Sequence, residues 1–468
     1  MNITVIGTGH VGLVTCATLA EIGHRVVGMD CDEDKISLLE RGEAPFYEPG
    51  LTDLLRKHTG SGSLRFMVRE ADALSEATVV FVSVGTPPLA NGEANLLAVE
   101  KAARSVASYG RDGVVVVEKS TVPAGTADRV ALTLARERPA LRFDVVSNPE
   151  FLREGSAVSD SLHPDRILIG SASKRAADVM RRVYRPLLRN GCRFIETDIA
   201  TAELAKHACN AFLSLKISFA NALANICERA GADVVSVADI MGADPRIGRA
   251  FLDAGLGFGG YCFPKDLAAF ERVAARLGYD FSLLNEVARI NEQAVESVVG
   301  KVRDALWNLE GKRVALLGLA FKPGTDDTRL SPALDLARRL LDEGALVVGY
   351  DPQAGASARA ELPQLELAGD PYEAAWGAHC LVLCTEWEEF RALDLRALRE
   401  VMLYPVIVDG RNVFDPETMR ELGFTYYPTG RPAIIPRNRK RLGPGGGPNE
   451  NGSLSPARRF SRVGVARA

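Results

Sequence analysis

The residues that decide the fold stand at the front of the chain: Ile3-Thr4-Val5-Ile6-Gly7-Thr8-Gly9-His10-Val11-Gly12, followed by Arg25-Val26-Val27-Gly28-Met29-Asp30. A β-branched apolar run, a G-x-G-x-x-G turn, a helical pattern, a second apolar run and then an acid form, in that order, the dinucleotide fingerprint. Gly7, Gly9 and Gly12 permit a tight turn. They let the turn's backbone, Val11 included, and the helix N-terminus approach a pyrophosphate, while Asp30 can accept bonds from a ribose diol. That carboxylate repels a 2′-phosphate and no Arg directly follows it, so NAD is favoured over NADP. Lys35, in the next helical pattern, offers a phosphate contact or is simply solvated.

Outward from this unit, Val79-Val80-Phe81-Val82, Val114 to Val117 and Asp144-Val145-Val146 read as further buried strands with helical spacers. Alternating β and α implies a mostly parallel sheet covered on both faces. From Thr201 to Arg229 the pattern changes to a strand-free run rich in Ala, Leu, Asn and Glu. It predicts a helix of about 30 residues, ~45 Å long, suited to bridge two domains and to form a dimer seam. Strand-like runs return at Arg313 to Leu317, Leu346 to Val348, Leu381 to Leu383 and Val406 to Val408. The expected fold is α/β: two Rossmann-like doubly wound domains joined by a long central helix. The expected boundaries are 1–197, 198–300 for the helical region with a cysteine loop, 301–432, and a tail over 433–468.

The 468 residues contain 47% hydrophobic and 25% charged residues, ample for globular cores and incompatible with collagen or general disorder. Net charge is −4, but the segment from Pro436 onward holds seven Arg, one Lys and one Glu, +7, leaving −11 on the rest. This Gly/Pro-rich tail reads as disordered, and its Arg437 to Arg441 run as a solvated basic stretch rather than a polyanion or membrane site. No apolar run is long enough to span a membrane and Met1-Asn2-Ile3-Thr4 reads as strand entry, so a cytoplasmic protein without nucleic-acid or membrane partners is expected. Eight cysteines without C-x-x-C or zinc spacing read as reduced thiols, with no metal site.

Three further loops leave strand ends where a doubly wound sheet binds ligands: Val84-Gly85-Thr86-Pro87, Ser120-Thr121-Val122-Pro123, and Asn148-Pro149-Glu150-Phe151-Leu152-Arg153-Glu154. Glu150 and Glu154 would share a face if that last loop turns helical. The segment Gly257-Phe258-Gly259-Gly260-Tyr261-Cys262-Phe263-Pro264-Lys265-Asp266 carries the chemistry. With Pro264 opening a helix and Lys265 nearby, the Cys262 thiol is expected below its free value of about 8.5. Asp266, four residues on, can face the same space. The other cysteines are left to packing. On the long helix Lys206 and Asn210 share a face, and desolvation among Leu204, Ala205 and Ala208 is expected to lower the lysine's pKa.

These motifs, together with Ala202-Glu203-Leu204-Ala205-Lys206 through Phe212, Arg246-Ile247-Gly248 and Phe321-Lys322-Pro323-Gly324-Thr325-Asp326-Asp327-Thr328-Arg329, resemble the UDP-glucose/GDP-mannose dehydrogenase family over about residues 1 to 430. The resemblance implies four-electron oxidation of a nucleotide sugar by two NAD through a thiohemiacetal and a thioester on Cys262. Phe263 after the cysteine points to UDP-glucose rather than GDP-mannose or an N-acetylated UDP-sugar; Tyr261 departs from the common Ser. It further implies that Lys206, Asp266 and Thr121 manage the first proton, that Lys206 and Asn210 stabilise the oxyanion, and that Glu150 activates the hydrolytic water. Phe151, Leu152, Phe251, Gly255, Gly259, Phe321, Lys322 and Arg411 would surround the sugar nucleotide, with Arg246 reaching in from a neighbouring subunit of a homodimer or larger assembly. Thr86, Thr121, Glu154, Lys265 and Arg329 would contact NAD. A sensor without turnover, or a two-electron hydroxyacid dehydrogenase needing only a lysine, are the alternative readings.

Overall fold

Strands Val79–Val82 and Val114–Glu118 are buried at every position, as the centre of a parallel sheet covered on both faces requires. The computed structural model describes residues 1–436. The first sheet contains β1 (Asn2–Ile6), β2 (Arg25–Met29), β3 (Leu64–Met67), β4 (Val79–Val82), β5 (Val114–Glu118), β6 (Phe143–Ser147), β7 (Arg166–Ser171) and β8 (Arg193–Thr197). Their order is β3-β2-β1-β4-β5-β6-β7-β8. The first six follow the doubly wound dinucleotide-binding order. β7 then pairs antiparallel to β6, and β8 runs parallel to β7.

The second sheet contains β9 (Arg313–Leu317), β10 (Leu346–Tyr350), β11 (Glu366–Leu367), β12 (Cys380–Leu383), β13 (Val406–Asp409) and β14 (Thr425–Pro428), ordered β11-β10-β9-β12-β13-β14. This repeats the winding of the first six strands. The repetition reaches the turn after the first strand: Gly7 N donates to Met29 O at 2.7 Å, and Gly318 N to Tyr350 O at 2.8 Å. Both glycines sit near φ +90°, where only glycine avoids a Cβ penalty. Each sheet has an apolar cluster on each face, around Leu13 and Phe81 or Val80 and Val116 in the first, and around Leu316 and Val382 or Leu317 and Ile407 in the second.

Between the sheets runs the helix Ile199–Ala230, 32 residues, close to the expected length. The Asp198 carboxylate caps its start by accepting from Thr201 N at 2.8 Å, and Gly231 ends it at φ 71°. It packs against β7 and against helices Cys262–Arg276 and Ser282–Leu306. Its inward face is polar: Glu203, Lys206, His207, Asn210 and Ser214 are all buried. Such a stripe costs stability unless every group finds a partner.

Residues 433–436, expected to begin the tail, differ from that expectation. Ile434 is buried and exchanges two backbone hydrogen bonds of 2.8 Å with Tyr426, which adds it to the edge of β14. The basic run and the rest of the tail, 437–468, lie outside the described residues.

Candidate active site

At the carboxyl end of the first sheet the helix His10–Glu21 begins immediately after the glycine turn. A Cβ on Gly7 would stand 2.7 Å from Ser83 O, a Cβ on Gly12 would collide with Gly7 O, and a Cβ on Gly9 would meet nothing within 4 Å. Two glycines thus seat the helix on the sheet, and the third leaves open space at its N-terminus, where a diphosphate fits. Asp30 Oδ2 accepts from Thr8 N at 2.9 Å, Thr8 Oγ1 at 2.8 Å and Lys35 Nζ at 3.1 Å. Burial pushes this carboxyl up, but those hydrogen bonds and the Lys35 charge outweigh it and hold it below its ordinary range. An ionised acid at this point suits a free 2′-hydroxyl and opposes a 2′-phosphate, so the site fits NAD. Lys35 sits on Asp30. In the second sheet the matching Asp351 is consumed: its oxygens accept from Leu319, Ala320, Gln353 and Ala354 N–H and from Trp387 Nε1.

A cleft of about 810 Å³ opens against the helix that follows this turn, with Thr15, Thr18 and Leu19 in its wall, a size that suits a nucleotide sugar. Glu150, Phe151, Leu152, Glu154, Lys206, Asn210, Phe251, Gly259, Cys262, Phe321, Lys322 and Arg411 all line it. The loop 148–156 stays irregular and its helix starts only at Ala157. Glu150 and Glu154 therefore reach one cavity without the helical turn that the spacing suggested. Glu48 contributes to that path by accepting from Gly155 N and Ala157 N, both at 2.8 Å, while it pairs with His10.

Lys206 Nζ meets Glu150 Oε1 at 2.9 Å, and Asn210 Nδ2 donates to Asp266 Oδ2 at 2.6 Å. Cys262 is the first residue of helix Cys262–Arg276, so Pro264 sits inside the first turn rather than opening it. Solvent reaches Cys262 through the cleft, yet protein surrounds the thiol on most sides. That burial, followed by the Glu150 and Asp266 charges, pushes it up to about 12 against the pull of Lys206. The expected depression is therefore reversed. Lys265, assigned that task on its position in sequence, pairs instead with Asp266 Oδ1 at 2.7 Å and reaches Thr86 Oγ1 at 3.4 Å. The expectation for Lys206 is reversed too. Burial lowers it, but Glu150, Asp266 and Cys262 outweigh burial and the net direction is up.

The remaining candidates lie around this centre. Thr121 is not among the lining residues; its carbonyl accepts from Thr86 Oγ1 at 3.0 Å. Its loop is fixed to the long helix by His207, hydrogen-bonded to Val122 O at 2.9 Å, and by Glu203, which accepts from Gly125 N and Ala127 N. Gly255 sits behind the cleft against Arg411, Arg329 pairs with Asp327 at 2.6 Å near Glu154, and Arg246 points outward, bound to Asp244. Cys31, left to packing in the sequence reading, is exposed, because it follows the last strand residue and Asp30 at the sheet's open end.

Sequence reasoning passed over Lys119 and Arg166, which also line the cleft. Lys119 is buried; desolvation lowers it to about 8 although Glu150 opposes the shift. Its signal was present as a lysine closing the apolar run Val114 to Val117 just before Ser120-Thr121. The Arg166 guanidinium lies 3.9 Å from the Phe151 ring centre, with Lys206 Nζ at 5.5 Å from the same ring.

A dinucleotide turn, together with a cleft that holds a cysteine, a lysine and carboxylates, defines an NAD-dependent oxidoreductase. Three family models match the chain in order: the NAD-binding, central and UDP-binding domains of the UDP-glucose/GDP-mannose dehydrogenase family, over residues 1–188, 200–293 and 315–416. The chain belongs to that family. It is 45% identical to a UDP-glucose 6-dehydrogenase of Pseudomonas aeruginosa, over 92% of this chain and 98% of the relative. Among solved structures, a UDP-glucose dehydrogenase from Pyrobaculum islandicum superposes with TM-score 0.85 at 40% identity, covering 92% of this chain and 98% of that one. A UDP-D-ManNAc dehydrogenase from Pyrococcus horikoshii gives 0.81 at 29% identity, covering 92% and 99%.

Proposed function

We propose that the protein is a UDP-glucose 6-dehydrogenase that oxidises the sugar's C6 hydroxymethyl group to a carboxylate, yielding UDP-glucuronate. The observation that carries this reading is the meeting of Cys262, Lys206, Glu150 and Asn210 at one cleft, with Asp266 hydrogen-bonded to Asn210. A two-electron alcohol oxidation needs no nucleophile, whereas capture and hydrolysis of an aldehyde need a thiol, an oxyanion donor and a base.

When bound, NAD is the hydride acceptor in both oxidations; Gly7, Gly9, Val11, Gly12, Asp30, Lys35, Thr86, Thr121, Glu154, Lys265 and Arg329 hold it. Asp266, with Thr121 positioning a water, takes the C6 hydroxyl proton in the first oxidation, while the Lys206 ammonium stabilises the oxygen that loses it. Cys262 Sγ then forms a bond to the aldehyde carbon while the thiol proton ends on the carbonyl oxygen, so thiohemiacetal formation is proton-neutral. A thiol held protonated at rest is compatible with that step. Lys206 Nζ and Asn210 Nδ2 stabilise the oxygen as it becomes an oxyanion, and loss of its proton together with the second C6 hydride leaves the thioester. Glu150 removes a proton from water, the C–O bond forms, the C–S bond breaks, and Cys262 recovers its proton. Lys322, Arg411 and Arg166 supply the positive charge that a diphosphate requires, and Phe151, Phe251 and Phe321 the flat apolar packing for uracil and sugar. Leu152, Gly255 and Gly259 shape the walls.

The enzyme acts as a homodimer or larger assembly. Phe212, Phe219 and Ile226, each half exposed or more, repeat every seven residues on the long helix and form an uncovered apolar seam. Arg246 belongs to the neighbouring subunit's site. Among the described residues no helix is long and apolar enough to cross a membrane; a cytoplasmic setting keeps Cys262 reduced.

NADH production measured with UDP-glucose, GDP-mannose and N-acetylated UDP-sugars tests the reading. UDP-glucose is expected to give the highest kcat/KM, and no NADH from UDP-glucose overturns it.

A further inference from the structure

Tyr261 is the residue of the cysteine motif that departs from the family pattern, and it has no part in the mechanism above. It lines the cleft beside Cys262. Its ring centre lies 4.8 Å from the Arg329 guanidinium and 5.6 Å from Lys265 Nζ. The two cations come from different parts of the fold. Lys265 is on the cysteine helix and reaches Thr86 on the loop after β4, while Arg329 is on the loop 318–331 that follows β9. The residue before the ring is fixed to that loop: Gly260 N donates to Arg329 O at 3.0 Å, and a Cβ on Gly260 would stand 2.8 Å from the Phe321 ring. The Tyr261 hydroxyl has no hydrogen-bond partner among the described residues, so the π face is what the neighbours use.

Arg329 and Lys265 also touch carboxylates, at Asp327 and Asp266. Each carboxylate holds one cation alone, whereas the Tyr261 ring faces both and so joins the cysteine helix to the loop after β9. We propose that Tyr261 is a positioning residue for the dinucleotide: its ring gathers Arg329 and Lys265 on one side of the cysteine loop, so that both reach the NAD diphosphate. The inference rests on the reading of those two cations as NAD contacts. UDP, held by other residues, gains nothing from the ring.

The test is direct binding of NADH, by its fluorescence, and of UDP, by calorimetry, to the full chain carrying Y261F, Y261S and Y261L. Y261L fills the space without a π face and serves where Y261S fails to fold. Y261S and Y261L are expected to bind NADH about tenfold more weakly, as loss of two cation–π contacts implies, and to raise the KM for NAD by a similar factor. Their UDP affinity should change less than about twofold, and Y261F should match wild type. Wild-type NADH affinity in Y261L, weak binding in Y261F, or an equal loss for UDP overturns the proposal. Failure of the wild-type chain itself to bind NADH overturns the underlying reading instead.

Discussion

Lys206 Nζ and Glu150 Oε1 stand 2.9 Å apart, with each side chain only 6% exposed. The pair joins the long helix to the loop after β6, and it joins the group expected to stabilise an oxyanion to the one expected to activate water. Two buried charges in contact offset each other's desolvation; either alone does not.

Removing one partner should therefore be worse than removing both. K206M is expected to destabilise the fold by about 3 to 5 kcal/mol and to lower kcat by roughly 10²- to 10⁴-fold. The double variant K206M/E150Q should recover part of the stability and none of the activity. Urea titrations of the single and double variants measure this; additive losses would show that the pair is not coupled. E150Q alone should accumulate the thioester during turnover, visible as added mass on the Cys262 peptide.

The thiol's environment gives a second expectation. Glu150 raises the Cys262 pKa and Lys206 lowers it. Iodoacetamide should therefore alkylate Cys262 slowly near pH 7.5 and faster as pH rises. E150Q should react several-fold faster than wild type, and K206M more slowly. Peptide mapping separates this site from exposed Cys31. Equal rates in all three proteins would contradict the assigned charges.

Lys119 carries a pH-dependent stability penalty. Its pKa falls from 10.5 to about 8 on folding, so between those values the unfolded chain binds more protons and stability rises with pH. Below about pH 8 the penalty is fully present, on the order of 3 kcal/mol at 1.36 kcal/mol per unit. K119M should be more stable than wild type at pH 7, by roughly 1 to 3 kcal/mol after packing losses. That advantage should shrink between pH 8 and 10.5 in thermal melts. A constant difference across this range would contradict it. K119M should also lose activity, since a lysine retained at such a penalty serves the site.

The apolar seam on the long helix makes the assembly testable. Phe219 is 50% exposed, and F219E should lower the sedimenting mass without changing the far-UV spectrum. An unchanged oligomer would place the interface elsewhere.

The outline of both windings, the long helix, the glycine turn and the cysteine loop could be read from spacing, because the relevant signals are local; most other candidate site residues followed from the family resemblance. Gly7 to Gly12 with Asp30, and the glycines before Cys262, state their backbone requirements within a few residues. What escaped depends on distant partners. β7 and β8 escaped because pairing direction after β6 is set by the loop 148–165, whose course depends on Glu48. Lys119 and Arg166 escaped because nothing local marks a lysine or arginine as buried. The pKa directions of Cys262 and Lys206 were misjudged for two reasons: for the thiol the neighbour Lys265 was weighed whereas burial raises it most, and for Lys206 desolvation was foreseen but the distant charges of Glu150, Asp266 and Cys262 outweigh it.

The central claim is a four-electron oxidation completed on Cys262. Its most direct measurement is the ratio of NADH formed to UDP-glucuronate released, in the wild-type chain and in C262A. The account predicts a ratio of two in the wild type and no UDP-glucuronate from C262A. One NADH per substrate, or wild-type glucuronate formation without the cysteine, would contradict it.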